Sequence, residues 1–382
     1  MNIVLDDLDN HLVFAPLTLT RPVGNLRMGL FTNNERWQNY FPSADISHQT
    51  KGYLESKFPN RSGNETIRIN ACVIPTEKLV KLISKLKKGE TLYVNNEFVA
   101  TYLNENTKRV DESLEELIII KNRWDLYLLN EIVLKSDFKW LLKQNKKSKK
   151  LNSSNNLIGS EEDLFIEEGA LIQGATLNTL TGPIYIGKNA EIMEGSLIRG
   201  GFSLGENSVV KMGAKIYGYT SIGPFSKIGG EISNVVIHGY SNKGHDGFLG
   251  NSLIGEWCNL GADTNSSNLK NNYSTVSTYN YVGNDYCSTE VQFMGLTMGD
   301  HSKSGINVMF NTASVVGVLS NVFGSNFPPK YIPSFSWGGF NKDTYDIAKA
   351  IADVNNMMNR RGISLSQAEI NILEYIKEFY SK

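Results

Sequence analysis

An aliphatic residue stands at every sixth position along one stretch of this chain: Ile186, Ile192, Ile198, Leu204, Val210, Ile216, Ile222 and Ile228. Neither a helix of period 3.6 nor a simple alternating strand accounts for a six-residue recurrence of that length. Four residues after each aliphatic position stands a mostly small one, as at Ala190, Ser196, Ser208, Ala214, Thr220 and Ser226, and glycine follows directly at Gly187, Gly205, Gly223 and Gly229. The period returns at Met298, Ser304, Phe310, Val316 and Val322, and a weaker prelude is Ile166, Ala170 and Ile172. The pattern predicts a parallel β-helix of triangular section. Each hexad supplies one short strand and a corner, and three hexads make a coil. The aliphatic side chain points into the stack, small residues fit beside it, and glycines serve the turns. Each coil buries its apolar edge only against its neighbours, so both ends need covering.

The segments on either side have a different texture. Before the repeat, strand-like stretches (Ile3–Leu5, Thr66–Ile74, Thr91–Val99) alternate with helical patterns at Glu77–Lys88 and Trp124–Lys143, which predicts an α/β unit. A polar, lysine-rich stretch from Gln144 to Asn156 reads as a linker. After the repeat, Phe327-Pro328-Pro329-Lys330 suits no regular element. Ile347, Ile351, Val354 and Met358 then mark one face of a helix stopped at Gly362, and Ser366 with Glu369 forms a capping box for a last helix to Tyr380. The expected organisation is an α/β domain with linker over 1–155, a β-helix over 156–326 and a helical cap over 327–382. The cap would cover the coil end or pack against a neighbouring subunit.

Composition narrows the partners. Lys+Arg 38 against Asp+Glu 39 gives a net charge of −1, so no basic surface invites nucleic acid or an anionic membrane. No apolar run is long enough to cross a bilayer. The acidic start Met1-Asn2-Ile3-Val4-Leu5-Asp6-Asp7 is unlike a secretory signal, which makes the cytoplasm the expected location. Cys72, Cys258 and Cys287 form neither a disulfide framework nor a metal spacing.

Between the regular stretches lies an irregular one, Asn242-Lys243-Gly244-His245-Asp246-Gly247-Phe248-Leu249-Gly250-Asn251, continuing through Asn259-Leu260-Gly261-Ala262-Asp263-Thr264 to Asn268. Insertions in solenoids gather on the binding face. His245, set among glycines and polar residues, can serve as a general base near neutrality, or it can be a hydrogen-bonded corner histidine. His238 and His301 read as structural.

The spacing of His245, Gly250-Asn251, Ile254-Gly255, Asn259-Leu-Gly-Ala-Asp-Thr264 and Asn268 resembles the acetyltransferase domain of the bifunctional N-acetylglucosamine-1-phosphate uridyltransferase/glucosamine-1-phosphate N-acetyltransferase family. The whole chain resembles a Bacteroidetes-type divergent branch of sugar nucleotidyltransferase-like proteins. The marks are Pro16-Leu-Thr-Leu-Thr-Arg-Pro22, Leu26-Arg27-Met-Gly29, Trp37, Trp124-Asp125, Gly299-Asp-His-Ser-Lys-Ser-Gly-Ile-Asn307 and Phe335-Ser-Trp-Gly-Gly339. The resemblance implies a nucleotidyltransferase-like α/β domain and a left-handed β-helix. It also implies transfer of an acetyl group from acetyl-CoA to the amine of an amino-sugar phosphate. His245 would remove the proton and Asn268 would place the base or the sugar. Backbone N–H groups near Gly261 and Ala262 would hold the oxyanion, with CoA along coils near Ser288, Gly305 and Ile306. A homotrimer with sites at subunit contacts is implied as well.

Departures bear on the acceptor. The family's sugar-phosphate arginine falls on Lys211, which keeps a charge but not the bidentate fork, or is simply an outward corner lysine. Phe248 replaces a tyrosine, and Ser233 replaces a lysine. Near the start, Asn10-His11-Leu12-Val13 lacks the glycines and arginine that cradle a triphosphate. Arg21 and Arg27 could supply charge there, or have structural or solvated roles. Asp6, Asp7 and Asp125 could hold the Mg2+ that uridylyl transfer from UTP requires, or have structural or solvated roles. The alternative is a non-catalytic trimeric scaffold or ligand sensor built on a degenerate enzyme pair.

Overall fold

A computed structural model describes residues 1–105, 107–338 and 343–382. Gly339, the last residue of the Phe335-Ser-Trp-Gly-Gly motif, lies outside them. The chain divides into two compact units. The first comprises Met1–Phe14, Thr18–Leu26 and Phe31–Arg123; the second comprises Ala15–Leu17, Arg27–Leu30 and Trp124–Lys382.

The first unit is an α/β layer on a six-stranded mixed sheet. Asn2–Asp6 runs between and parallel to Asp45–Gln49 and Thr66–Asn70; Glu97–Tyr102, Glu90–Val94 and Lys108–Glu112 extend the sheet on the far side. Ile3, Val4 and Leu5 are all buried. Thr32 and Glu35 form a reciprocal capping box on the helix Asn33–Tyr40. The stretch expected as one strand over Thr91–Val99 is two. Asn95 and Asn96 both take left-handed conformations (φ 51° and 66°), which is what a tight hairpin turn demands and asparagine tolerates. The helix expected over Glu77–Lys88 covers only Glu77–Ile83, and the Ser84 hydroxyl bonds back to the Val80 carbonyl.

In the second unit, the stretch expected as one helix over Trp124–Lys143 is two, Asp125–Leu128 and Asn130–Leu142. At the break, the buried Asn130 amide donates to the Tyr219 carbonyl (2.8 Å) and accepts from Gly29 N–H (2.6 Å). The rest is dominated by a parallel β-helix of the left-handed hexapeptide kind, with one eight-stranded and two nine-stranded faces. The predicted column is its core. Ile186, Ile192, Ile198, Leu204, Val210, Ile216, Ile222 and Ile228 are at most 2% exposed. Burial of each such side chain contributes roughly 1.5–3 kcal/mol.

Two features differ from expectation. The coiling does not stop at Ile228: Ile232, Ile237, Leu249, Ile254 and Leu260 continue the buried column through corners shortened by a residue or two, and the true excursion is the hairpin Ser277–Asn280/Asp285–Ser288. The glycines that follow the aliphatic positions do not supply left-handed turns either. They supply room. A Cβ on Gly205 would meet Gly223 carbonyl carbon at 2.7 Å, one coil on.

The left-handed turns of one corner are made instead by Asn189, Asn207, Phe225, Tyr240, Trp257, His301, Leu319 and Phe335, all with φ between 54° and 60°. Each non-glycine residue in that conformation costs about 1–2 kcal/mol. Stacking offsets part of it: Phe225 lies on Tyr240 at 5.0 Å and Tyr240 on Trp257 at 4.4 Å, pairs worth about 0.5–1.5 kcal/mol each. The C-terminal helices Ile347–Asn359 and Gln367–Tyr380 lie along this corner. Arg361 sits within 6.0 Å of the three stacked rings, and Lys377 lies over Phe335. The Ser366/Glu369 capping box is present in full.

Candidate functional site

The corner between the strands Asn242–Lys243 and Phe248–Gly250 carries His245 on an exposed turn. An open depression of about 600 Å³ forms beside it, lined among others by Lys211, Met212, His245, Asp246, Ala262 and Asp263. Stacking explains the grouping. Gly229 N–H donates to the Lys243 carbonyl and Asp263 N–H to the Asp246 carbonyl, so the turns that follow Val210, Ile228, Lys243 and Leu260 rise one above another. The fold thereby brings the expected base and the expected phosphate-binding lysine to one wall. His245 is solvent-accessible and Lys211 half-buried.

The other expected residues divide. Ala262 lines the depression, and among the described residues its N–H meets no acceptor. Gly261 is not available in the same way: its N–H donates to the Ser304 carbonyl at 3.0 Å. Glycine is required there because an added Cβ would lie 2.5 Å from Gly305. Ile306 is 71% exposed on the next coil, whose Asn307 N–H bonds the Ala262 carbonyl. Gly305 faces a second depression, about 420 Å³, with Lys303, Phe323 and Trp337. Ser288 lies on the excursion hairpin, paired with Ser277.

Asn268 does not join His245. It lies across the face, past the next corner, and donates to Asn251 Oδ1 at 2.8 Å. Phe248 belongs with it: its ring and the Asn268 amide converge on Gly250, where a Cβ would come within 2.7 Å of both.

Arg27 is buried and committed to backbone. Its Nε donates to the His238 carbonyl and its Nη1 to the Leu30 carbonyl, each at 3.0 Å. The Arg27 N–H donates to His238 Nε2, which leaves Nδ1 to donate to the Ile254 carbonyl, so His238 is structural as expected. A guanidinium held this way braces segments of the fold.

In the first unit Arg21 is buried, in a turn closed by its N–H on the Thr18 carbonyl. Asp7 Oδ1 accepts from Val23 N–H (2.8 Å), while Oδ2 meets the Thr50 hydroxyl (2.6 Å) and His11 Nδ1 (3.2 Å). Burial raises the pKa of Asp6, which caps the turn through Leu8 N–H. Carboxylates so engaged do not fit a magnesium site, which needs oxygens open to the ion and its waters. Among the described residues no cluster of three or more His, Cys, Asp or Glu side chains could hold a metal.

Sequence reasoning missed Lys243. It occupies the inward position six residues after Ile237, in register with Ile228, and is only 1% exposed. Burial lowers its pKa to about 8, opposed by the nearby Asp246 and Asp263 carboxylates. Carrying the count of inward residues through Ile232 and Ile237 would have exposed a lysine where the column calls for an apolar side chain.

Residues 3–146 match the model of a family described as sugar nucleotidyl transferase. Among solved structures, the chain is similar to a UDP-N-acetylglucosamine acyltransferase from Arabidopsis. The identity is 15%, over 58% of this chain and 88% of that one, with a TM-score of 0.20. No helix among the described residues is long and apolar enough to cross a membrane.

Proposed function

We propose that the chain is a transferase of sugar-nucleotide metabolism whose β-helix transfers an acetyl group from acetyl-CoA to an amino-sugar phosphate such as glucosamine 1-phosphate. His245 is the general base. The observation that carries this reading is the shared wall: His245, Lys211 and Ala262, whose N–H meets no acceptor among the described residues, border one open depression. A base, a cation for the acceptor's phosphate and a backbone donor for the developing oxyanion are the groups that acyl transfer to an amine requires. The match of residues 3–146 to the sugar nucleotidyl transferase family supports the substrate class. Bound acetyl-CoA would supply the thioester carbonyl. This chain's residues orient the acceptor and take its proton at an imidazole nitrogen of His245.

The acceptor's phosphate rests on Lys211 in this reading. The test is thiol release from acetyl-CoA in the presence of glucosamine 1-phosphate. Activity that depends on His245 supports the proposal, and activity unchanged in His245→Ala overturns the mechanism. Uridylyl transfer by the first unit is a separate proposal, tested by pyrophosphate release from UTP with magnesium. The engagement of both Asp7 oxygens within the protein weighs against it.

One observation favours a second reading, a ligand-binding scaffold. Among the described residues no hydrogen bond orients the His245 ring, whereas a catalytic base is usually held by a third group. CoA binding without turnover of any amino-sugar phosphate would support that reading.

A further inference from the structure

Lysine is a costly choice at position 243. Its neighbours along the inward column are Val210 and Ile228 on one side, and the adjoining coil contributes Leu260 to the same core. An apolar side chain would suit all of them. Burying an ammonium costs several kcal/mol unless its N–H groups are satisfied. Here three carbonyls do so. Lys243 Nζ donates to the carbonyls of His245, Asp246 (3.0 Å) and Gly229 (3.4 Å). Two of the three belong to the turn that carries His245, and the third belongs to the coil beneath. The Asp246 carbonyl also accepts from Asp263 N–H at 3.0 Å, so the network ties the turn to the coil above as well.

The geometry points to Lys243 as the positioning residue that fixes the His245 turn from inside the solenoid. It touches no substrate; it acts through the backbone of residues 245 and 246. The role given to His245 here rests on the acyl-transfer reading, but the positioning itself does not. The turn gains from such a clamp because Gly244 and Gly247 carry more backbone freedom than other residues, and Gly247 has φ 113°. A catalytic group must be held within about 0.5 Å of its productive place, and displacement by about 1 Å can cost 100-fold.

The clamp is charge-assisted, and such bonds are about twice as strong as neutral ones. The charged groups at the mouth are Asp246 and Asp263, which favour the ammonium, and Lys211 and His245, which line the same depression. Burial outweighs them, so the ammonium gives up its proton near pH 8 and the clamp weakens above it.

Hydrogen–deuterium exchange at residues 244–247 in the full chain, compared with Lys243→Met at pH 7, tests the proposal. Methionine fills the column without a charge. We expect exchange at the turn to rise at least tenfold, with thermal stability equal or higher. We also expect kcat for acetyl transfer to fall 10- to 100-fold, with KM for acetyl-CoA within twofold. Unchanged exchange at 244–247 overturns the proposal whatever the activity. Faster exchange in a protein whose wild type transfers no acetyl group leaves the clamp standing and removes the acyl-transfer reading. Should the variant not fold, wild-type exchange between pH 7 and 9 decides. Residues 244–247 should accelerate several-fold more than the turn at 211–214, and parallel acceleration of both would contradict the clamp.

Discussion

The same kinds of residue meet opposite fates in the two units. In the α/β unit, the polar groups that a nucleotidyl transferase would aim at phosphates and metal are turned into the protein: Asp7 holds Val23, Thr50 and His11, and Arg21 is buried. In the β-helix, His245 is exposed and Lys211 half-buried at one open depression, and the buried ion, Lys243, lies beneath them. Asp7 shows a polar side chain engaged in holding a fold, while the groups proposed for chemistry border an open depression with Lys243 behind them.

Mutation should separate the two cases. The largest effect falls on His245→Ala, which should lower kcat for acetyl transfer by about 10²–10⁴-fold while leaving the urea midpoint unchanged. Asp7→Ala should do the reverse, costing about 3 kcal/mol in urea unfolding because Val23 N–H and His11 lose their buried partner. Lys211→Ala should raise KM for a phosphorylated acceptor about tenfold, roughly 1.4 kcal/mol, and leave KM for acetyl-CoA in place.

The smallest effects are in pH dependence, and they share a sign but occupy different pH windows in the two units. His48 in the first unit is buried, its pKa lowered to about 4 by desolvation, and among the described residues its Nδ1 meets no hydrogen-bond partner. An unfolded chain takes up that proton near pH 6.5 while the native one refuses it. Its contribution is therefore intact above pH 6.5 and lost as pH falls toward 4. His48→Gln should flatten that acid limb in unfolding measured by tryptophan fluorescence. Lys243 acts at the other end. Its native pKa of about 8 lies below the unfolded value near 10.4, so the unfolded state binds more protons between them. Stability should rise with pH across that window, and Lys243→Met should abolish the rise.

The β-helix was legible because its core is a single file: one inward residue per hexad, each packed on its equivalents, leaves a period that no other fold writes. The terminal helices were legible from the capping box at Ser366 and the stop at Gly362, both local. What escaped depends on residues far apart in sequence. Asn268 keeps a suggestive spacing from His245, yet the face between them directs it to Asn251. Arg27 offers charge for a phosphate or a structural role, and the partners that engage it within the fold, Leu30 and His238, include a residue more than two hundred positions away. The aromatic corner from Phe225 to Trp257 breaks the local preference for glycine or asparagine at left-handed turns, and only the stacking across coils makes it reasonable. Lys243 was hidden for a simpler reason: two shortened corners put the count out of phase.

The central claim is that acyl transfer takes place on the wall shared by His245, Lys211 and Ala262. A crystal soaked with acetyl-CoA tests it most directly. The claim predicts density for the thioester carbonyl at the Ala262 N–H, with the His245 ring facing the position of the incoming amine. Density confined to the second depression, by Gly305 and Trp337, would contradict it, as would no bound CoA at millimolar concentration.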